Sequence, residues 1–285
     1  MGLRVVGLSV ALALAMAPVV GRTETAPLAV PAPASAQALS DALLIGDVMA
    51  VLREEGLANA TELAADFPSG ANPGWKATVE AIYAPEAMRA TFDAALAKEL
   101  AASPAAVEAA VAFFASEGGQ KALRLEIEAR RALLDPATEA AAKERWAEMD
   151  AADTPRAAAL HRFAEVNALI ESNVMGALNA NLAFFRGMAE AGGPLGEMTE
   201  EDMLSMVWGS EAEVRASTTD WLMPFLAMAY GPLSDGELEA YIAFSDIPEG
   251  RRVNAAVFAA FDALFLDISR RLGRAAGREM IGQDI

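Results

Sequence analysis

An internal repeat constrains the fold of this chain more than any other feature of its sequence. Residues 107–134 read VEAAVAFFASEGGQKALRLEIEARRALL, and residues 238–265 read LEAYIAFSDIPEGRRVNAAVFAAFDALF. Each copy has an apolar segment with helical periodicity, a short break containing glycine followed closely by a basic residue, and a second amphipathic segment. This pattern predicts a helical hairpin that is used twice. The residue pairs that are identical at one constant offset include Glu108 and Glu239, Ala112 and Ala243, Phe113 and Phe244, Gly119 and Gly250, and Leu133 and Leu264.

The rest of the chain also favours helices. Proline directly follows a capping residue at Ser103-Pro104, Asp135-Pro136 and Thr154-Pro155, and proline is well tolerated in the first turn of a helix. We find no convincing strand pattern. The sequence therefore predicts an all-α fold, a bundle or array of about ten to twelve helices.

The predicted organisation is a signal peptide over residues 1–36 and one helical domain over residues 37–285. The two repeats are expected at about 83–134 and 221–272. Between them, the segment 155–191 predicts a single long bridging helix, roughly fifty ångströms long at the α-helical rise. Its apolar residues recur at steps of three or four, as in one buried stripe: Phe163, Val166, Ile170, Val174, Leu178, Leu182 and Phe185.

The N-terminus has the layout of a secretory signal peptide. A positive region ends at Arg4, an apolar run follows, and small residues lead up to Ala36. We expect cleavage after Ala36, with Ala38 as the alternative site. An uncleaved anchor is the competing interpretation, but the apolar run is shorter than the roughly twenty residues of a spanning helix and contains Pro18. The expected location is the periplasm, with no membrane span after cleavage.

The composition narrows the classes of partner. The chain contains no cysteine, which excludes disulfides, and its formal net charge is −18 at pH 7. Nucleic acid requires basic surface for binding, so we expect no nucleic-acid partner. An acidic surface that keeps an exported protein soluble is the simplest explanation of the charge.

No catalytic, cofactor or metal site is predicted. His161 is the only histidine; with Glu165 it forms a possible start of a metal site, but no further ligands are marked. Pairs of carboxylates such as Glu126 and Glu128 occur at spacings that solvated helix faces explain. We therefore expect no cofactor, and whether the chain is an enzyme stays open, with a non-catalytic role favoured.

Two groups of side chains are candidates for ligand contacts. Trp208, Trp221 and Phe225 belong to a cluster of large adaptable side chains that forms either core packing or an apolar groove. The segment 155–191 also carries several amides, among them Asn173 and Asn179. These amides either bond between helices and to water or line a polar ligand site.

The breaks within the two repeats resemble a known family motif. The first reads FFASEGGQK from Phe113, and the second reads FSDIPEGRR from Phe244. Both are similar to the signature of the bacterial domain-of-unknown-function family 2059, broadly aromatic-aromatic-x-Ser/Thr-Pro-x-Gly-x-Lys/Arg. The first copy has Glu117 in place of proline, while the second keeps Pro248 but lacks the second aromatic and the Ser/Thr. The resemblance implies a helical, exported protein and carries over no activity.

The residues of this motif have two physical interpretations. Gly119 and Gly250 either adopt a left-handed backbone that ends a helix or admit a close approach of another chain segment. Phe113 and Phe244 would fill the elbow between the helices. The basic residues are not required by an elbow and could bind an anion at the start of the following helix; they are Lys121, Arg251 and Arg252.

The leading functional hypothesis is a non-catalytic periplasmic binding or interaction protein. It would take an unidentified periplasmic protein or a small apolar ligand, in the apolar groove or in the cleft between the two halves. The alternative is a carboxylate-dependent hydrolase or lyase that acts on cell-envelope material. Divalent-cation binding by the acidic surface is a third possibility.

Overall fold

The computed structural model describes residues 35–67, 70–192, 196 and 198–281, and within these residues the regular structure is entirely α-helical. The predicted all-α fold is therefore confirmed. The thirteen helices are α1 Ala36–Ala42, α2 Ile45–Ala65, α3 Trp75–Ile82, α4 Pro85–Leu100, α5 Pro104–Phe114, α6 Glu117–Ala132, α7 Pro136–Ala151, α8 Pro155–Val166, α9 Leu169–Ala191, α10 Glu200–Gly209, α11 Glu211–Tyr230, α12 Asp235–Asp246 and α13 Pro248–Ile281.

The proline signals locate helix starts correctly. Helices α5, α7 and α8 begin at the prolines that follow Ser103, Asp135 and Thr154. The side chain of Asp135 accepts a hydrogen bond from the amide of Thr138 at 2.9 Å, and that of Thr154 accepts one from Ala157 at 3.1 Å. A side-chain acceptor at this position satisfies an amide that the helix itself leaves free.

The prediction of a single helix over residues 155–191 is wrong. Helix α8 ends at Val166, Ala168 takes a left-handed conformation with φ 49°, and α9 begins at Leu169. The Asn167 side chain donates to the carbonyl of Phe163 at 2.9 Å, and Asn254 of α13 donates to the carbonyl of Asn167 at 3.0 Å. A contact with a distant helix thus terminates α8 at a place where the apolar periodicity continues without a break.

Helix α13 is the long central element instead. Its 34 residues span roughly fifty ångströms, and it packs against α9, α4 and α5. Near the C-terminal end of α9, a Cβ atom on Gly187 would overlap the carbonyl oxygen of Arg270, and one on Gly273 would overlap that of Phe184. The two glycines allow the backbones of α9 and α13 to approach each other closely.

The buried side chains form two hydrophobic clusters. The larger one contains both motif phenylalanines and side chains from most of the helices, including α2, α4, α11 and α13. The smaller one joins α9, α10 and the start of α11 through Val174, Met203, Val207 and Val214. Helix α7 has no buried residue and lies against α11 and α8.

The expected signal peptide, residues 1–36, lies almost wholly outside the described residues. Among the described helices, none combines the length and apolar character that crossing a membrane requires.

Candidate functional site

The motif glycines allow close approach and do not form left-handed caps. Gly119 lies in the first turn of α6 and Gly250 in the first turn of α13, and neither has a positive φ. A Cβ on Gly119 would overlap the carbonyl oxygen of Phe113, and a Cβ on Gly250 would overlap that of Phe244. In both copies the second helix therefore begins directly against the last turn of the first.

The motif phenylalanines contact each other. The rings of Phe113 and Phe244 stack with centroids 5.0 Å apart and an interplanar angle of 23°, and both side chains are buried. Equivalent residues of the two copies thus meet face to face at the centre of the larger core cluster.

The basic residues reach from each copy to the other. Lys121 donates to both carboxylate oxygens of Glu237, at 2.7 and 3.0 Å. Arg252 donates to the hydroxyl of Ser103 at 3.2 Å and to the backbone carbonyl of Glu99. Ser103 precedes α5, whereas Glu237 lies in the first turn of α12, which is the equivalent helix of the second copy. An anion at either basic residue would have to displace these contacts.

The Lys121 contact is added to a helix cap. Ser234 and Glu237 form a capping box, in which the amide and hydroxyl of Ser234 donate to the Glu237 carboxylate at 2.7 and 2.8 Å. The hydrogen bond from Lys121, followed by those from Ser234, lowers the pKa of Glu237 to about 2. The Glu237 carboxylate therefore stays ionised, and able to pair with Lys121, down to low pH.

Two of the three groove candidates lie together, and the third lies apart. Trp221 and Phe225 stack in parallel on α11, with centroids 4.9 Å apart and an interplanar angle of 9°. Phe225 is buried in the core. Trp208 lies on α10 with 54% of its surface exposed, and it does not line the cleft that contains Trp221.

Trp221 lines an open cleft of about 380 Å³, which we call the Trp221 cleft. One wall comes from α2 and from the end of α6 with the start of α7, in the N-terminal half of the chain. The opposite wall is α11, in the C-terminal half. The lining residues are Leu52, Glu55, Gly56, Asn59, Tyr83, Arg130, Leu133, Leu134, Glu139, Lys143, Ser217, Asp220 and Trp221.

A nearly buried ion pair between α6 and α2 lies inside this cleft. Arg130 donates through Nε to Oε1 of Glu55 at 2.5 Å and through Nη2 to Oε2 at 2.8 Å. Only 9% of the Arg130 side chain and 17% of the Glu55 side chain are exposed. The guanidinium carbon of Arg130 also lies 5.8 Å from the centroid of the Trp221 ring, within the range of a cation–π contact. The bidentate geometry fixes the orientation of Arg130 beside Trp221.

Tyr83 lies against α2 at the same cleft. A Cβ on Gly56 would overlap the Tyr83 ring, so the ring packs directly on the helix backbone. Burial, and next the charge of Glu55, raise the pKa of Tyr83. The phenol is therefore neutral and able to donate a hydrogen bond at physiological pH.

The outer part of the cleft is charged and more exposed. Lys143 pairs with Glu139 one helical turn away at 2.6 Å on α7, and Asp220 is exposed on α11. The apolar Leu52 and Leu133 lie deeper, since both are buried. The arrangement combines an apolar interior with charges of both signs at the opening.

The histidine does not form a metal site. His161 Nε2 lies 2.7 Å from Oδ1 of Asp150, and the imidazole ring is 5.3 Å from the Trp146 ring. In the described part of the chain, no group of three His, Asp or Glu side chains is arranged to hold a metal ion.

Apart from Trp221, the sequence did not single out the residues of this cleft. Glu55, Arg130 and Lys143 occur at spacings that solvated helix faces explain equally well. Gly56 could have indicated this cleft, because a glycine inside a helical pattern indicates a place where another side chain lies against the backbone.

Comparison with known proteins supports the motif in the first half of the chain. Residues 86–148 match the model of a bacterial family described as "uncharacterized protein conserved in bacteria" (DUF2059). The resemblance is confirmed there; the match includes the first copy of the break and ends before the second. No curated protein matches the chain, and no solved structure matches it.

Proposed function

We propose that this chain is a non-catalytic periplasmic binding protein that holds a small amphipathic molecule in the Trp221 cleft. The observation that carries the proposal is the composition of that cleft: apolar and aromatic side chains surround the nearly buried Arg130–Glu55 ion pair, and the opening carries charges of both signs. Ligand sites are concave and mostly apolar, with a few fixed polar groups that orient the ligand.

The fixed polar groups are already in place. Because Arg130 is held by Glu55 on two hydrogen bonds, it needs no rearrangement to orient a ligand, and little conformational entropy is lost on binding. At the opening, the Lys143–Glu139 ion pair and the carboxylate of Asp220 present charges of both signs. A zwitterionic molecule with an apolar body matches this arrangement better than the purely apolar ligand suggested by the tryptophans alone.

The catalytic alternative has less support. Carboxylate chemistry requires two acids with different protonation states near one reacting bond. Two of the three carboxylates that line the cleft, Glu55 and Glu139, are paired with Arg130 and Lys143. Both carboxylates are therefore already occupied by a cationic side chain, which suits binding rather than proton transfer.

Native mass spectrometry of protein released from the periplasm tests the proposal. Ser217→Trp on α11 fills the cleft, whereas Ala212→Trp adds the same bulk to an exposed position of the same helix outside it. We expect wild type and Ala212→Trp to carry the same small-molecule mass and Ser217→Trp to lose it. Retention of that mass by Ser217→Trp, or bare protein in all three samples, contradicts the proposal.

The location has its own test. Fractionation followed by N-terminal sequencing should recover the chain in the periplasm with Gln37 as its first residue. A chain that retains Met1 and stays with the membrane fraction would contradict export with cleavage after Ala36.

A further inference from the structure

A second cleft lies between α9 and α13, away from the Trp221 cleft. Gly187 and Gly273 bring these helices into backbone contact at one level, whereas at the level of Gly176 a cleft of about 210 Å³ separates them. A Cβ added to Gly176 would touch only Oδ1 of Asp262, at 4.0 Å. We call this space the Asp262 cleft.

Asp262 is a half-buried carboxylate without a cationic partner in the described part of the chain. Its only hydrogen bonds there come from Nδ2 of Asn179, at 3.3 and 3.5 Å, which are long for a charged acceptor. Burial raises the pKa of Asp262. Moving a carboxylate out of water is unfavourable unless a positive group or strong donors compensate it.

Asn173 is a buried amide in the wall of the same cleft. It is only 4% exposed and lines the cleft. Its Nδ2 donates to the carbonyl of Leu169 at 2.7 Å, while its Oδ1 has no hydrogen-bond partner within the described residues.

Three aromatic side chains also line the cleft. Phe258, Phe261 and Phe265 of α13 line the cleft together with Asp262. The face of an aromatic ring attracts a cation and repels an anion. A carboxylate without a cationic partner in the described part of the chain, together with three aromatic side chains, favours a positively charged ligand that carries N–H donors.

We propose that the Asp262 cleft is a binding site for a small primary alkylammonium ion. The ammonium group would donate to Asp262, and its alkyl chain would lie against the phenylalanine side chains. At about 210 Å³ the cleft is smaller than the roughly 300 Å³ at which sites for drug-sized ligands begin, so the ligand is a small amine.

Calorimetric titration with n-butylammonium chloride tests this site, with butan-1-ol as the neutral analogue of the same shape. Because the whole chain is acidic, the titration is made at about 0.15 M salt, where diffuse attraction is screened beyond about 8 Å. We expect saturable binding of n-butylammonium and none of butan-1-ol. The tetramethylammonium ion, which has no N–H donor, should bind at least about tenfold more weakly.

Asp262→Asn and Asp267→Asn form a matched pair of variants. Both remove one carboxylate from α13, but Asp267 is exposed and pairs with Arg271 at 3.2 Å. Asp262→Asn should weaken n-butylammonium binding at least about tenfold, and Asp267→Asn should leave it unchanged. Asp262→Asn should fold at least as stably as wild type, because it removes a half-buried charge, so its loss of binding is not a loss of fold.

Four results would overturn the proposal that the Asp262 cleft binds an alkylammonium ion. They are the absence of saturable n-butylammonium binding, equal binding of butan-1-ol, equal binding of tetramethylammonium, and equal weakening by the two variants.

Discussion

Phe113 and Phe244 stack on each other, although 131 positions separate them in the sequence, and each occupies the same place in its own copy of the repeated hairpin. Around this stack, Lys121 of the first copy binds Glu237 of the second, and Arg252 of the second binds Ser103 of the first. The two hairpins therefore contact each other reciprocally, in the manner of the two surfaces of a symmetric dimer.

The aromatic stack should contribute strongly to stability. Phe244→Ala removes a fully buried ring, and we expect a loss of about 3–5 kcal/mol in the free energy of unfolding. In a double-mutant cycle with Phe113→Ala, the coupling energy should be about 0.5–1.5 kcal/mol. Urea denaturation measures both. Ile247→Ala, at a side chain that is 40% exposed, is the control and should change stability far less; strictly additive phenylalanine losses would argue against a direct ring contact.

Alanine substitutions at the two adjacent glycines of the first motif should have very different effects on stability. Gly119→Ala places a Cβ against the backbone of Phe113, whereas a Cβ on Gly118 meets nothing within 4 Å. We expect Gly119→Ala to destabilise by several kcal/mol, at about the level of an overpacked core or more. Gly118→Ala should be neutral or stabilise by up to about 1 kcal/mol. Thermal denaturation of both variants decides this, and similar midpoints would mean that the helices of the elbow are not in close contact.

The Lys121–Glu237 pair predicts a pH dependence with a definite sign. The pKa of Glu237 falls from an unperturbed 4.5 to about 2 in the folded chain. Its contribution is therefore complete above pH 4.5 and is lost as the pH falls towards 2. Because both side chains are more than a third exposed, Lys121→Met should lower the free energy of unfolding at pH 7 by no more than about 1 kcal/mol.

Urea denaturation of wild type and Lys121→Met from pH 7 to pH 2 checks this. The difference between the two proteins should narrow between pH 4.5 and pH 2. Lys76→Met is the control, since Lys76 and Glu80 are 3.9 Å apart on the surface and should show only a small difference throughout. If the difference in the free energy of unfolding between wild type and Lys121→Met stayed constant from pH 7 to pH 2, the Lys121–Glu237 ion pair would be refuted.

A buried carboxyl group should matter to the junction of α6, α11 and α12. Tyr230 and Tyr241 both donate to Oε1 of Glu126, at 2.9 and 2.5 Å. Tyr241→Phe removes one donor from this buried acceptor and should cost about 1–3 kcal/mol. Tyr83→Phe is the matched control, because no hydrogen bond of the Tyr83 hydroxyl is seen within the described residues; equal losses from the two changes would contradict the network.

The sequence predicted the local features of this fold better than the contacts between distant helices. The proline starts at residues 104, 136 and 155 depend on neighbouring residues alone, and they are correct. The end of α8 depends on Asn254, which lies far along the chain, so periodicity could not place it. In the same way, Trp221 could be singled out by its size, but its companions Glu55 and Arg130 come together only through the packing of α2 on α6.

Amide hydrogen–deuterium exchange is the sharpest test of ligand binding in the Trp221 cleft, because it reports where a ligand binds. The probe is the small-molecule fraction of a periplasmic extract, added to the full chain. We expect slower exchange in α2 around Glu55 and in α11 around Trp221, and no such slowing in the Ser217→Trp variant. Unchanged exchange at both helices, or the same slowing in Ser217→Trp, would contradict a ligand site in the Trp221 cleft.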